Sequence, residues 1–291
     1  MWGGINIPPP YKKDGAIMKL AYGIPLIDEL SLSEFEQYLK MLKELGYEGV
    51  EPSICYANKI DKEGIAELLD RYDMKFSGFR SGGIYDIGGV RFSSPDPAIR
   101  NKAVKMMKDV IDLSGYFKCS VLLGRVQGWL ENGEDVDKAK EYITACMREC
   151  SEYAGQYGIY ISYEPINRYE MNYNHTTKEM VYFTNHINEG ISNKVRLLMD
   201  VYHMMLEDNS ICAAFVRSRE LIGHVHFSDS NHGVPGTGSI NFAEAIKVLE
   251  AMDYRGWIAL EVGMNFCDYR EGAEASYKFL KPIIDAALSS K

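Results

Sequence analysis

The stretch Leu221-Ile-Gly-His-Val-His-Phe-Ser228 is short and mostly apolar, and an amphipathic stretch follows it from Asn241 to Met252. The first pattern is typical of a strand buried on both faces, and the second is typical of a helix with one apolar face. A strand followed by a helix is the repeating unit of parallel sheets, because the helix returns the chain to the edge where the next strand starts. These residues therefore predict an α/β fold.

The same unit occurs eight times along the 291 residues. The strand-like runs are Met18–Ile24, Tyr47–Ile54, Lys75–Ser81, Cys119–Gly124, Gly158–Pro165, Val195–Val201, Leu221–Ser228 and Trp257–Gly263. The helix-like stretches are one that begins at Ser33 or Ser31, then Lys62–Tyr72, Asp96–Ser114, Val136–Tyr157, Thr177–Asn188, Cys212–Arg219, Asn241–Met252 and Tyr269–Leu288. Eight units without a break in composition favour a single (β/α)8 TIM barrel.

An open doubly wound sheet is the alternative fold, and it usually has a glycine-rich phosphate loop after its first strand. Tyr22-Gly-Ile-Pro25 is not such a loop, so the closed barrel is preferred. We assign the barrel to residues 18–291. Residues 1–17, which include Pro8-Pro9-Pro10, are interpreted as an extended N-terminal arm.

Composition narrows the classes of function. The formal net charge of −9 opposes binding to nucleic acid, which favours a basic surface. No run approaches the ~18 apolar residues of a membrane-spanning helix. Six scattered cysteines indicate reduced thiols in a cytoplasmic protein, and Cys146 and Cys150, one helical turn apart, are expected to pack on a helix face.

Potential metal ligands stand at the ends of the last four predicted strands: Glu164, Asp200, His226 and Glu261. The carboxyl ends of barrel strands meet at one mouth, so these side chains should lie close together. Three carboxylates there would repel one another without a cation. The alternative is four unrelated structural roles, such as helix caps. His224, one layer deeper than His226, is interpreted as a core or supporting residue.

The ligand set predicts which ion is bound. Three carboxylates and one imidazole, without a thiolate, suit Mn²⁺, Mg²⁺ or Co²⁺ better than structural zinc, and we favour Mn²⁺. Nearby loops add candidates for binding a substrate: Glu170, His203 and His232. Gly236-Thr-Gly238 fits a phosphate-binding loop only weakly, and Asp229 is either a surface residue or a support for the site.

Four segments carry a family resemblance. They are Tyr163-Glu-Pro-Ile-Asn-Arg-Tyr-Glu170, Met199-Asp-Val-Tyr-His-Met204, Gly223-His-Val-His226 with Asp229-Ser-Asn231, and Leu260-Glu261. Together they resemble the D-tagatose 3-epimerase family of ketose 3-epimerases, within the xylose isomerase-like superfamily of TIM barrels. The motifs lie between about Tyr160 and Gly263, and the strand–helix alternation extends the resemblance to the whole chain.

The resemblance implies a role for each strand-end group. Glu164, Asp200, His226 and Glu261 would bind the cation, and the two glutamates would also transfer protons on either side of one substrate carbon. The implied chemistry is proton abstraction next to a carbonyl, through an enediolate that the cation stabilises.

The resemblance also assigns contacts with the sugar. Glu170 and His203 match positions that contact substrate oxygens. His232 is a departure, because ketohexose epimerases of this family have an arginine there, and this change removes a bidentate donor. The resemblance further implies a homodimer or homotetramer.

Several alternatives remain open at this stage. The same proton abstraction leads to aldose–ketose isomerisation if one base returns the proton to the neighbouring carbon. A leaving group β to the carbanion makes it a lyase or dehydratase that acts on an oxidised sugar or a 3-oxo C-glycoside. An AP endonuclease shares the barrel but uses three zinc ions and more histidines, and a non-catalytic barrel would leave like charges facing one another.

Overall fold

The computed structural model describes residues 18–263 and 268–289, so the proposed N-terminal arm lies outside the described residues. The strands are β1 (Lys19–Leu26), β2 (Gly49–Ser53), β3 (Lys75–Phe76), β4 (Gly78–Arg80), β5 (Ser120–Leu123), β6 (Ile161–Tyr163), β7 (Arg196–Asp200), β8 (Ile222–Phe227) and β9 (Trp257–Leu260). β3 and β4 both pair with β2 and form one barrel strand interrupted at Ser77. Every pairing is parallel, and the pairing of β1 with β2 closes the sheet. The predicted eight-stranded TIM barrel is confirmed.

Helices surround the barrel on its outside. They are α1 (Leu32–Leu45), α2 (Lys62–Tyr72), α3 (Gly83–Asp86), α4 (Pro97–Phe117), α5 (Val136–Gly155), α6 (Thr177–Ile187), α7 (Val201–Glu207), α8 (Ile211–Ser218), α9 (Phe242–Ala251) and α10 (Tyr269–Ser289). Eight of them correspond to the predicted helices, with ends that differ by up to three residues. The short helices α3 and α7 are additional, and each follows the carboxyl end of a strand at the mouth of the barrel.

The structure shows which of the two candidate serines, Ser31 or Ser33, caps the N-terminus of α1. Ser31 is the N-cap: its side chain accepts a hydrogen bond from the Glu34 backbone N–H, and the Glu34 carboxylate accepts one from the Ser31 N–H at 2.8 Å. Such a cap stabilises a helix by about 1 kcal/mol. Three turns of apolar side chains then bury Phe35, Leu39 and Leu42 against the sheet.

The remaining predictions about the bulk of the chain can be compared with the described residues. Cys146 and Cys150 are buried on α5, as expected, and the five cysteines within residues 18–263 are free thiols. No helix in the described part of the chain is long and apolar enough to cross a membrane.

Strand register places the ends of the last strands side by side. Asp200 of β7 pairs with His226 of β8, and Phe227 pairs with Leu260 of β9, which is followed by Glu261. The backbone N–H of Glu164, just after β6, donates to the Leu123 carbonyl of β5 at 2.9 Å. The carboxyl ends of these strands therefore form one side of the mouth.

Candidate active site

The structure brings the four predicted ligand residues into one cluster. One ligand atom from each of Glu164, Asp200, His226 and Glu261 lies within 4.8 Å of the other three. The Nδ1 atom of His226 is 2.6 Å from Glu261 Oε2, 3.8 Å from Asp200 Oδ2 and 3.9 Å from Glu164 Oε1. The imidazole is thus the centre around which three carboxylates converge.

Asp200 and Glu164 each have one buried carboxylate oxygen without a hydrogen-bond partner in the described chain. Asp200 caps α7 by accepting the Tyr202 N–H on Oδ1 at 2.7 Å, while its Oδ2 is buried without a hydrogen-bond partner in the described chain. Glu164 Oε1 is also buried without a hydrogen-bond partner in the described chain. Gly124 allows Glu164 to lie close to the barrel wall, because a Cβ at position 124 would be 2.5 Å from Glu164 Oε2.

These observations fit a divalent cation. Burying a carboxylate oxygen without a partner costs free energy, and coordination of a cation by that oxygen removes the cost. Three oxygen donors and one nitrogen donor form a set that Mn²⁺, Mg²⁺ or Co²⁺ accepts. Glu164, Asp200, His226 and Glu261 could therefore hold one such ion at the mouth of the barrel.

A buried carboxylate, Glu51 of β2, lies beneath this cluster. Its Oε1 is 2.8 Å from His226 Nε2, and its Oε2 is 2.7 Å from His224 Nε2 and accepts the Ser77 hydroxyl at 2.7 Å. Glu51, His224 and His226 are all buried. Their separations are hydrogen-bond lengths, so we interpret this group as support for the site rather than as a second metal site.

Arg80, at the end of β4, holds Glu261 from the other side. Its Nη1 donates to Glu261 Oε1 at 2.9 Å, and its Nη2 donates to the carbonyl oxygens of Ile24 at 2.7 Å and Glu51 at 3.3 Å. The guanidinium therefore spans from the third barrel strand to the first, second and last. The sequence analysis missed both Arg80 and Glu51, although each is an ionisable residue within or at the end of an apolar strand.

The surrounding groups shift the pKa values of Glu164 and Glu261, the two glutamates that the resemblance assigns to proton transfer, in opposite directions. Burial, followed by the neighbouring Glu261 and Asp200 carboxylates, raises the pKa of Glu164 well above its usual range. Burial alone would also raise the pKa of Glu261, but His226 and Arg80 hold it well below that range. In the metal-free protein, Glu261 is thus ionised and Glu164 is the group that accepts a proton. Opposed pKa shifts of this kind are typical of acid–base pairs.

The two histidines of β8 also differ. Burial lowers the pKa of His224 in spite of its contact with Glu51, so this ring stays neutral. Burial would lower the pKa of His226 as well, but Glu51 and Glu261 on its two nitrogens raise it well above the usual value. The two carboxylates therefore favour a His226 ring with a proton on each nitrogen.

A cavity of about 290 Å³ opens above the cluster and is lined by Glu164, His226, Glu261, Arg80 and the three predicted substrate-binding residues Glu170, His203 and His232. This volume is at the lower end of the ~300–1,000 Å³ usual for small-molecule sites, so it suits a ligand no larger than a single sugar. Charged and polar side chains for recognising hydroxyl groups line this cavity together with apolar ones such as Ile166 and Leu198.

Buried Asn167 organises the wall that Glu170 and His203 form. Its side-chain amide donates to Glu170 Oε1 at 3.1 Å and lies 2.7 Å from His203 Nδ1. His203 then points its Nε2 toward the cluster, 3.8 Å from Glu164 Oε1. His232 stacks on the ring of Tyr202, with the centroids 4.3 Å apart and an interplanar angle of 5°.

A closed parallel barrel with an acidic and imidazole cluster at the carboxyl ends of its strands defines a TIM-barrel enzyme with a sugar-sized site. Residues 39–283 match the model of the xylose isomerase-like TIM barrel family, and the chain belongs to this family.

The chain is 30% identical over 223 residues to an L-ribulose 3-epimerase of Methylomonas sp., which covers 74% of each protein. It is also similar to the 3-dehydro-D-guloside 4-epimerase of Escherichia coli, 28% identical over 126 residues, which cover 43% of this chain and 47% of that protein. A crystal structure of a Methylomonas D-allulose 3-epimerase has the same fold, with a TM-score of 0.79 and 22% identity over 92% of this chain and 99% of that one. The expected class is confirmed: the chain is an isomerase-class carbohydrate enzyme.

Proposed function

We propose that the protein is a ketose 3-epimerase that works with one divalent cation held by Glu164, Asp200, His226 and Glu261. The observation that carries the proposal is the convergence of these four ligand atoms within 4.8 Å at the base of a sugar-sized cavity. Family membership and relatives named as ketose epimerases support the same reaction class.

Glu164 and Glu261 are the proposed proton-transfer groups. They follow β6 and β9, which are separated in the sheet by β7 and β8, so they approach the cavity from different sides. One glutamate removes the proton from the carbon next to the carbonyl, and the other delivers a proton to the opposite face. This exchange inverts that carbon without changing the composition of the sugar.

When bound by these four residues, a divalent cation would supply Lewis-acid stabilisation of the negative charge that forms as the proton leaves. We favour Mn²⁺, with Mg²⁺ and Co²⁺ as the alternatives, because the donor set is three carboxylates and one imidazole. Asp200 and His226 mainly hold the ion.

Glu170, His203 and His232 are the proposed contacts with substrate hydroxyl and carbonyl oxygens. All three line the cavity. Asn167 fixes Glu170 and His203 relative to each other, so a sugar hydroxyl between them meets a carboxylate acceptor and an imidazole that are already oriented. His232 presents an imidazole edge in place of the guanidinium that the family's ketohexose epimerases have.

A sugar without a phosphate group fits the loop after β8 best. Phosphate-binding barrels use backbone N–H groups at this position. Here the buried Asp229 carboxylate accepts such groups itself, from Ser230 at 2.7 Å, Gly236 at 2.7 Å and Ile240 at 3.1 Å. A phosphate there would have to displace an internal anion.

The test is incubation of the Mn²⁺-loaded protein in D₂O with a panel of free ketohexoses and ketopentoses. The expected result is solvent deuterium at C3 together with inversion of C3, measured by proton NMR and chiral chromatography. Glu261→Gln should lose this exchange. Glu220→Gln, the same change at an exposed position, should keep it.

Two outcomes would contradict the proposal. One is the absence of exchange at C3 with every ketose of the panel. The other is loss of water, or of the aglycone from a 3-oxo glycoside, in place of inversion, which would assign the site to a lyase. Deuterium that appears at the neighbouring carbon with formation of an aldose would indicate an isomerase instead.

A further inference from the structure

Glu51 is a carboxylate without an evident structural need. Its side chain is completely buried in β2, where an apolar residue would fill the space without the cost of burying a charge. It cannot contact a substrate, because none of its surface reaches the cavity. Its role must therefore act through the residues around it.

Those residues are all parts of the site. Oε1 of Glu51 is 2.8 Å from His226 Nε2 and 3.8 Å from Arg80 Nε. Its Oε2 is 2.7 Å from His224 Nε2 and accepts the Ser77 hydroxyl at 2.7 Å. Ser77 and His224 thus fix the carboxylate from one side, and its other oxygen is left for His226 and Arg80.

The contact with His226 determines which ring nitrogen faces the cluster. Two acceptor atoms would repel at 2.8 Å, so Nε2 must carry a hydrogen toward the ionised Glu51. The other nitrogen, Nδ1, is then the atom available to a cation, and it is the one that lies closest to Glu261, Asp200 and Glu164. A carboxylate behind a metal-binding histidine fixes its tautomer and increases its basicity.

We infer that Glu51 is a positioning residue of the cation site, which holds His226 with Nδ1 directed at the ion and is itself held by Ser77 and His224. The inference rests on the proposed cation site, but not on the identity of the sugar. It also explains why His224, which does not reach the cavity, is an imidazole: its Nε2 hydrogen keeps the second oxygen of Glu51 in place.

The test measures Mn²⁺ affinity by calorimetry on protein from which metal has been removed with a chelator. Glu51→Gln keeps the shape and removes the charge, and Glu51→Met removes the acceptor as well. We expect Mn²⁺ to bind about tenfold more weakly to the first variant and about 100-fold more weakly to the second. The matched control is Glu48→Gln, the same change at an exposed position just before β2, at the opposite end of the barrel, and it should bind like wild type.

A second measurement does not depend on the folding of a variant. In wild-type protein labelled with ¹⁵N-histidine and loaded with Mg²⁺, His226 should show a protected Nε2–H signal and a ring nitrogen pattern of the Nε2–H tautomer. Adoption of the Nδ1–H tautomer would overturn the inference. So would folded Glu51 variants with wild-type affinity.

The two possible failures are distinguishable. If wild-type protein binds no divalent cation, the proposed function fails at its first step. If wild-type protein binds Mn²⁺ and the Glu51 variants bind it equally well, only the inference about Glu51 fails.

Discussion

The polar groups on the two sides of the barrel mouth differ in how they are hydrogen-bonded. On the side of β6 to β9, Glu164 and Asp200 each leave a buried oxygen without a partner, directed at the same point. On the side of β2 and β4, Glu51 Oε2 and the two Nη atoms of Arg80 are hydrogen-bonded to neighbouring protein atoms, while Glu51 Oε1 and Arg80 Nε lie 3.8 Å apart without a hydrogen-bond partner among the described residues. Carboxylate oxygens without partners that converge on one point mark a binding position, and groups hydrogen-bonded to the protein keep that position rigid.

This contrast gives the two sides different sensitivity to substitution. Changes on the β6–β9 side should remove chemistry or metal binding while leaving the fold intact. Changes on the β2–β4 side should act indirectly and by smaller factors, because they move groups that remain present.

The largest effect is expected for Glu164→Gln. Loss of one proton-transfer group should lower the rate of C3 epimerisation on the order of 10³-fold. Because burial and neighbouring carboxylates raise the pKa of Glu164, the neutral amide should leave the melting temperature of the metal-free protein unchanged or higher. Loss of activity together with loss of the folded state would contradict this expectation.

Arg80→Met removes a supporting residue on the β2–β4 side and should have the second largest effect on the rate of epimerisation. Without the guanidinium, Glu261 loses the donor at 2.9 Å that fixes Oε1, and its carboxylate is free to turn. We expect the rate to fall about 100-fold, measured as kcat on the best ketose of the panel. Arg71→Met, which removes an exposed arginine paired with Glu36, is the control and should be unaffected. A full rate in the Arg80 variant would show that Glu261 needs no support from β4.

Gly124→Ala displaces a ligand without removing it. The added methyl group would lie 2.5 Å from Glu164 Oε2, so the carboxylate has to shift. A displacement of this size should cost about tenfold in kcat and should weaken Mn²⁺ binding in the same protein preparation. An alanine variant with wild-type affinity and rate would mean that Glu164 does not need its present position.

Asp229→Asn should affect stability and leave activity nearly unchanged, since this side chain organises the loop rather than lining the cavity. The asparagine oxygen can still accept the N–H groups that Oδ1 accepts, but its NH₂, in the place of Oδ2, cannot accept the Gly236 N–H, so we expect a loss of about 1–3 kcal/mol in the free energy of unfolding at pH 7. Burial would raise the pKa of Asp229, but backbone N–H donors of Ile240, Ser230 and Gly236 lower it. A lowered pKa gives stability that is present at neutral pH and lost as the pH falls through that pKa. Urea titrations should therefore show the two proteins converging in acid, and a difference independent of pH would be contrary to this account.

The comparison of the two sides also explains what the sequence could and could not predict. Glu164, Asp200, His226 and Glu261 each end an apolar run, so strand periodicity and the rule that barrel strands meet at their carboxyl ends were enough to bring them together. Glu51 lies inside β2 and meets His224 and His226 only because β1 pairs with both β2 and β9 and the barrel closes. Arg80 also ends a strand, but a guanidinium has no acceptor atom for a metal ion, so its position does not mark it as part of a ligand set.

Local structure at the mouth was predictable to a similar extent. Ser31 and Ser33 both fit the sequence pattern of a capping box at the start of α1. The hydrogen bonds between Ser31 and Glu34 in the structure identify Ser31 as the N-cap. Helix α7 begins at once after Asp200, without a loop, so the sequence pattern of β7 concealed it. Its first turn places His203 in the lining of the cavity, as the position of His203 three residues past the end of the strand predicts.

We propose that the β6–β9 side binds one divalent cation, and calorimetric titration of metal-free protein with Mn²⁺ measures this binding. Asp200→Asn is the matched variant, because asparagine can still cap α7 but offers no charged oxygen to the ion. We predict one Mn²⁺ per chain for the wild type and binding more than about 100-fold weaker for Asp200→Asn, a larger loss than for a residue that only supports a ligand. A wild-type protein that binds no Mn²⁺, Mg²⁺ or Co²⁺, or an Asp200→Asn variant that binds Mn²⁺ as tightly as wild type, would contradict the claim.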